Sequence, residues 1–262
     1  MDIVVLMKQV PDTAALIEIG EDKAGIRTED VRWVINPYDE LGIEEAIRIR
    51  ERQGGGKVTV LTVGAMSAVT SIRTAYAMGA DEGILICDPA LDKADALLTA
   101  KVLVAALRGI PFDLIIAGHR AVDDDCSLVP CVVSERLGLP LLSMVVRETF
   151  ENGKIRCEQY LQDGVTCVEA DLPALMTTQR GLNEPRLATL TTILKAKKTP
   201  VQIRTLADIG ISAEETGPES QKMKILSLAY PPARKAGKII SGATAREKAL
   251  QLKGLLREAG IL

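Results

Sequence analysis

The feature that most constrains the fold is the alternation of short β-branched runs with helical patterns in the first half of the chain. Each run is short and almost entirely apolar, as expected of strands that are buried on both faces of a sheet. The runs cover residues 2–7, 57–63, 83–87 and 113–117, and the helical patterns cover residues 38–53, 66–78 and 92–108. We expect Asp92 to cap the third helix. The alternation predicts an α/β fold with a mostly parallel twisted sheet and helices on both faces.

The pattern changes after residue 140, where strand-like runs follow one another without a helix between them. These runs cover residues 141–150, 154–161, 165–170 and 173–178. Two of the breaks contain Asn152-Gly153 and Asp163-Gly164, and such dipeptides are strong signals for tight hairpin turns. We therefore expect an antiparallel extension of the sheet.

The C-terminal part becomes polar from about residue 205 and contains Pro231-Pro232. A final helix is predicted over residues 244–258, with one stripe formed by Ala245, Ala249, Leu252 and Leu256. A tail of this kind either caps its own domain or wraps a partner, and the sequence leaves both alternatives open.

Composition excludes several classes of function. The 262 residues carry a net charge of −3 and few aromatic side chains, so a nucleic-acid surface is not expected. The N-terminus lacks a signal-peptide pattern and no apolar run is long enough for a bilayer, which predicts a cytoplasmic protein. The five cysteines include no CxxC pair. We therefore expect neither a disulfide framework nor a zinc site, but reduced and buried thiols.

Three loops follow strands or begin helices at the sheet edge where ligands bind in open parallel sheets. They are Lys8–Thr13, Asn36–Asp39 and Gly118–Pro130. The third contains three adjacent aspartates, and we expect Ser127 to cap the next helix with Pro130 in its first turn. A phosphate would suit the free N–H groups there, although an acidic helix start would also explain the loop. The convergence of all three loops favours a nucleotide.

The sequence lacks the motifs of several other kinds of binding and catalytic site. It has neither GxGxxG after the first strand nor GxxxxGK[ST], so the standard dinucleotide and P-loop patterns are absent. His119 is the only histidine, which excludes a histidine-based metal cluster and argues against a Ser/His/Asp triad. No catalytic residue and no metal ligand is assigned.

A further stretch, residues 180–198, presents an apolar residue in a turn ahead of a helix that ends in lysines. Leu182 stands between Gly181 and the sequence Asn183-Glu184-Pro185. It is either a loop leucine packed under its own turn or a residue presented to another protein.

These segments, with their flanking residues, resemble the β subunit of electron-transfer flavoprotein along nearly the whole chain. The matching strings are KQVPD from Lys8, INPYDE from Ile35, RTAYAMGAD from Arg73, GHRAVDDDC from Gly118, LNEPRLATL from Leu182 and KAKK from Lys195. The last three carry most of the specificity.

The resemblance implies a Rossmann-like nucleotide-binding fold and an electron carrier with no substrate chemistry of its own. The β subunit of this family pairs with an α subunit that holds most of the redox FAD. It ordinarily buries AMP as a structural ligand, and bifurcating members hold a second FAD in the same place. By position, the nucleotide would contact Leu6, Asn36, Pro37, Tyr38, Asp39, Val63, Gly118, Arg120, Ala121, Asp123, Asp124, Asp125, Cys126, Ser127, Leu128 and Val129.

The resemblance also implies roles towards partners. Thr13 would face the redox FAD, and Glu151 lies where the family has an acidic residue that helps to hold the mobile FAD domain. Leu182 would be the main docking residue of a recognition loop over 180–198 that binds acyl-CoA dehydrogenases, with Asn183, Glu184 and Pro185 beside it. A membrane-linked oxidoreductase would accept the electrons. Residues 1–205 would form the nucleotide-binding domain, and 206–262 an arm and helix that pack on the α subunit.

Two departures from the family pattern concern the third loop. Ser127-Leu128-Val129-Pro130 stands where AMP-type members usually have Asn-Gln-Thr-Gly, and Pro130 has no N–H to donate. Bifurcating members usually carry Asp-Gly-Asp, whereas Asp124 occupies the glycine position here. The sequence favours AMP over a second FAD, and it leaves open an empty or differently filled site. The rival interpretation is a stand-alone nucleotide-binding or nucleotide-hydrolysing α/β domain.

Overall fold

The computed structural model describes residues 1–92, 94–217, 220–234 and 236–262. The chain divides into two compact units, Met1–Leu226 and Ser227–Leu262. The strands of the first unit are β1 (Ile3–Leu6), β2 (Gln9–Pro11), β3 (Trp33–Ile35), β4 (Val58–Val63), β5 (Glu82–Ile86), β6 (Leu114–Gly118), β7 (Leu141–Glu151), β8 (Lys154–Leu161), β9 (Gly164–Asp171), β10 (Ala174–Thr178) and β11 (Gln202–Arg204).

The large sheet has the order β11-β5-β4-β1-β6-β10-β7-β8-β9 in the described part of the chain. Neighbouring strands from β11 to β7 are parallel, whereas β8 pairs antiparallel with both β7 and β9. β2 and β3 form a separate antiparallel pair. The predicted α/β class and the antiparallel extension are confirmed.

The helices of the first unit are α1 (Pro37–Arg52), α2 (Val69–Met78), α3 (Ala96–Leu107), α4 (Val129–Leu137) and α5 (Leu190–Lys198). The apolar side chains form two buried clusters because successive residues of each strand point to opposite faces of the sheet. One cluster joins Val5 and Val60 to the first two helices. The other joins Leu6 and Leu61 to α3 and α4. Helices therefore cover both faces, as the sequence predicts.

The second unit contains α6 (Ala245–Glu258), which confirms the predicted final helix. The Thr244 side chain accepts a hydrogen bond from the N–H of Glu247 at 3.2 Å and so caps its first turn. Leu250 and Leu252 on this helix are exposed. No helix in the described ranges is long and apolar enough to cross a membrane.

The expectations about the cap of α3 and about the burial of the cysteines are wrong. Asp95, not Asp92, caps α3, because a short 3-10 helix over Pro89–Leu91 delays the start of α3 and the Asp95 carboxylate reaches Leu98 N at 2.8 Å. The cysteines are free, as expected, but Cys126, Cys131 and Cys167 are exposed rather than buried. Two of these lie in or beside a polar loop and the third on an outer strand, where no core is available to cover them.

Candidate functional site

A buried carboxylate organises the C-terminal edge of the sheet. Asp39, in the first turn of α1, accepts hydrogen bonds from Lys8 N at 2.6 Å, Asn36 Nδ2 at 3.0 Å and Gly118 N at 2.9 Å. Burial raises the pKa of Asp39 to about 7, and the three N–H donors act in the opposite direction. One side chain thus joins the ends of β1 and β6 to the start of α1.

Gly118 makes this approach possible. A Cβ atom at this position would collide with the Asp39 carboxylate and the Tyr38 side chain. The residue that ends β6 must therefore be glycine for its backbone to reach Asp39.

Asn36 holds the third loop in place. Its Nδ2 donates to Arg120 O at 2.9 Å, and its Oδ1 accepts from Val122 N at 3.2 Å. Tyr38 lies beneath the same loop, and its hydroxyl oxygen accepts from Arg120 Nη2 at 3.1 Å. The Asn36–Asp39 segment and the aspartate loop are therefore one hydrogen-bonded unit.

A cavity of about 270 Å³ opens at this edge, on the α3 side of the sheet. Most residues expected to contact a nucleotide line it: Leu6, Asn36, Asp39, Val63, Gly118, Ala121, Asp124, Cys126, Ser127, Leu128 and Val129. Pro37, Tyr38, Arg120, Asp123 and Asp125 lie outside this lining. Tyr38 and Arg120 support the loop from beneath, and Asp125 pairs with Arg120 at 3.4 Å.

The sequence interpretation missed one wall of the cavity. Ala96, Thr99 and Leu103 of α3 line it, together with Leu61 of β4. The spacing of three and four residues along α3 is the signal that places these side chains on one face. The pattern predicted the helix, but it could not show that part of this face stays uncovered.

The start of α4 forms the polar end of the cavity. Leu128 occupies the position before the helix and no side chain caps it, so the prediction that Ser127 is the cap is wrong. Ser127 instead adopts a left-handed backbone with φ of 54°, a conformation that differs from the extended geometry of a capping residue. Pro130 does lie in the first turn, as expected. The first-turn N–H groups of Val129 and Cys131 are left available to an acceptor.

Lys8 provides a cation at the same end. Its Nζ lies 2.8 Å from an Asp123 carboxylate oxygen and 3.0 Å from one of Asp124. Burial alone would lower the pKa of Lys8, but the two carboxylates outweigh it and raise the pKa. Two of the three adjacent aspartates are therefore held by Lys8 and the third by Arg120.

The residues expected to face partners lie elsewhere on the first unit. Thr13 is exposed in the turn after β2, and Glu151 is exposed at the end of β7. Leu182 is half-buried and packs against the core cluster on the α1 side. Leu187 and Leu190 follow it and are 93% and 74% exposed. The leucines most available on this segment are thus those after Leu182.

The comparison with protein families gives a match over residues 24–209 to the electron transfer flavoprotein domain. The chain belongs to the electron transfer flavoprotein family. A Bacillus subtilis protein named electron transfer flavoprotein subunit beta is 37% identical over 98% of each chain. Its namesake from Thermoanaerobacterium thermosaccharolyticum is 38% identical over 92% of this chain and 93% of its own. The resemblance inferred from the motifs is confirmed.

Another relative carries a more specific name. The caffeyl-CoA reductase-Etf complex subunit CarD of Acetobacterium woodii is 33% identical over the whole of both chains. Membership of the electron transfer flavoprotein family supports a role in electron transfer that involves a flavin.

Proposed function

We propose that this chain is the β subunit of a heterodimeric electron-transfer flavoprotein with AMP as a structural ligand. It pairs with an α subunit that holds most of the redox FAD. Dehydrogenases of the acyl-CoA dehydrogenase type donate the electrons, and a membrane-linked oxidoreductase accepts them. The observation that carries the proposal is the cavity at the sheet edge, which gathers most of the residues that the family pattern assigns to a nucleotide.

The walls of the cavity suit the base and sugar of an adenine nucleotide. Leu6, Leu61 and Val63 provide an apolar slot between the sheet and α3. Binding sites of this kind combine apolar walls with a few placed polar groups. The polar groups here are those around Asp39 and Asn36, which the loop hydrogen bonds hold in fixed positions.

The phosphate end relies on the backbone in this chain. Leu128 and Pro130 replace residues that could donate from their side chains or backbone, so the phosphate would bind the first-turn N–H groups of Val129 and Cys131. Ser127 and Lys8 belong to the same cavity lining. Lys8 would exchange part of its contact with the aspartates for the phosphate.

The FAD supplies the redox chemistry when it is bound, and this chain helps to place the flavin and to recognise the partner proteins. Thr13 would face the flavin from the turn after β2, and Glu151 would help to hold the FAD-bearing domain. The segment 180–198 would dock onto the dehydrogenase. Residues 206–262 would form an arm on the α subunit, because the exposed Leu250 and Leu252 of α6 are apolar groups that a partner can cover.

A second candidate is a bifurcating carrier, with FAD in the place of AMP. Asp124 argues for AMP, because its side chain occupies the position at which bifurcating members have glycine.

Analysis of the bound ligands tests the proposal. The chain is co-expressed with its α subunit, and the nucleotides released by heat are separated by chromatography. We expect AMP together with about one FAD per heterodimer. Two FAD and no AMP would identify the bifurcating type. ATP turnover by this chain alone, with no flavin in the co-expressed complex, would support the stand-alone nucleotide-binding domain instead.

A further inference from the structure

The segment between β10 and α5 runs along α1 and is held by its polar side chains. Asn183 Nδ2 donates to Leu41 O at 3.0 Å and to a Glu45 carboxylate oxygen at 2.8 Å. In the opposite direction, Arg48 Nη2 of α1 donates to Glu184 O at 3.1 Å. These contacts join residues more than 130 positions apart in the sequence.

Arg186 adds two ion pairs to this contact. Its Nε lies 2.8 Å from Glu44 Oε2, and its Nη1 lies 2.9 Å from Glu51 Oε1. The backbone N–H of Arg186 also donates to Glu44 Oε2, at 3.1 Å. The planar guanidinium thus contacts two carboxylates that lie about two turns apart on α1, a geometry that a lysine ammonium cannot reproduce.

Because Glu44 is buried, the Glu44–Arg186 ion pair is sensitive to the loss of its arginine. The Glu44 side chain is 2% exposed. Burial alone would raise its pKa, but hydrogen bonds from Arg186 and Arg48 outweigh burial and hold the pKa below its ordinary value. Removal of Arg186 would leave a buried carboxylate with one partner fewer, which favours movement of the segment away from α1.

The held residues lead directly to the exposed leucines. Residues 183–189 form neither helix nor strand, so the direction in which the chain leaves α1 depends on these side-chain contacts. Leu187 follows Arg186 immediately, and Leu190 begins α5. A docking segment that is already ordered loses less conformational freedom on binding.

We propose that Glu44, Arg48 and Glu51 of α1 form a clamp, and that Arg186 is a positioning residue that fixes Leu187 and Leu190 for docking onto the electron donor. This inference rests on the docking role proposed above for the segment 180–198. Arg186 itself stays paired with the glutamates of α1 and does not contact the donor. Its effect on electron transfer is exerted through the order of the residues that follow it.

The test uses the complete heterodimer and an acyl-CoA dehydrogenase reduced by its acyl-CoA substrate. Arg186→Gln, Arg186→Lys and Glu51→Gln are compared with Arg147→Gln, which removes an exposed arginine of β7 that lies 3.7 Å from Glu158. Two quantities are measured for each variant: the amide hydrogen exchange of residues 187–194, and the KM and kcat for the heterodimer as the substrate of the dehydrogenase. Flavin content and reduction by dithionite report whether the redox site is intact.

We expect Arg186→Gln to accelerate exchange in residues 187–194 and to raise KM about tenfold with kcat nearly unchanged. Arg186→Lys should lie between this variant and the wild type. Glu51→Gln leaves the contact between Arg186 and Glu44 in place and should raise KM about threefold. This variant keeps the test valid if the Arg186 variants do not fold. Arg147→Gln should behave like the wild type.

Two results would overturn the clamp. Unchanged exchange in the Arg186 and Glu51 variants would show that α1 does not order the segment. Faster exchange with an unchanged KM would show that the order is irrelevant to docking. Leu190→Ala distinguishes these results from failure of the docking role itself. If it raises KM while the clamp variants do not, only the clamp is refuted, and if it changes nothing, the docking role also fails.

Discussion

At the scale of single residues, the shape of the candidate site depends on Gly118. Its backbone N–H reaches the Asp39 carboxylate at 2.9 Å only because no side chain stands between them. Gly118→Ala should therefore destabilise the protein by about 2–4 kcal/mol and reduce the amount of bound nucleotide. Chemical denaturation and nucleotide analysis of the heterodimer measure both effects.

Gly25→Ala is the matched control for this substitution. Gly25 is half-buried, but an added Cβ would meet no atom within 4 Å. The free energy of unfolding of this variant should stay within about 0.5 kcal/mol of that of the wild type. Equal effects of the two substitutions would show that the close approach at Gly118 is not what the site requires.

Another residue-scale feature is the carboxylate pair Glu45 and Glu148, which share the guanidinium of Arg52. Burial, followed by the charge of Glu45, raises the pKa of Glu148 from its ordinary value of 4.5. A raised folded-state pKa contributes stability that is present below the ordinary value and lost as the pH rises through the raised value. Glu148 therefore makes the folded state less stable at neutral pH than at about pH 5.

Replacing Glu148 with glutamine removes this titration. The free energy of unfolding of Glu148→Gln should fall less between about pH 5 and pH 8 than that of the wild type, by about 1–3 kcal/mol. Urea denaturation at several pH values measures the difference. A Glu148→Gln profile parallel to that of the wild type would contradict the assignment.

At the scale of elements, the two leucines at the ends of the segment 182–190 should behave differently. Leu182 packs against the core, whereas Leu190 is 74% exposed. Leu190→Ala should raise the KM for the dehydrogenase by more than about tenfold, as for a central contact residue worth about 2 kcal/mol, without changing the melting temperature. Leu182→Ala should lower the stability by about 1–3 kcal/mol.

The two variants also separate the alternatives that the sequence left open. If Leu182→Ala slows electron transfer at unchanged stability, Leu182 is itself the docking residue. If neither variant affects the reaction with the dehydrogenase, the donor binds another surface.

The elements themselves were largely predictable from the sequence, whereas their exact contacts were not. Runs such as residues 57–63 indicate buried strands, because they are short and rich in β-branched residues. The start of α3 was misplaced because Asp92 and Asp95 are both capable caps, and only the 3-10 helix over Pro89–Leu91 decides between them. The Glu44–Arg186 contact joins residues 142 positions apart, and no local pattern encodes such a distance.

At the scale of the whole molecule, both core clusters lie within Met1–Leu226. A chain that ends at Leu226 should therefore fold with a melting temperature within about 3 °C of that of the full chain. Its affinity for the α subunit should fall, because the exposed leucines of α6 are lost. Calorimetry and co-purification with a tagged α subunit measure these two effects. Unfolding of the shortened chain would instead identify the tail as a cap on its own domain.

The place of β10 in the sheet determines when the sheet can be completed during synthesis on the ribosome. β10 lies between β6 and β7, although the whole β7–β9 meander is synthesised before it. Until Thr178 has left the exit tunnel, β6 presents an open edge that is able to pair with other chains. The hydrogen bond from Thr178 Oγ1 to Tyr38 O, at 2.7 Å, is also missing at that stage. The nascent chain thus carries this open strand edge while residues 119–178 are synthesised, an interval in which a chaperone can protect it from other chains.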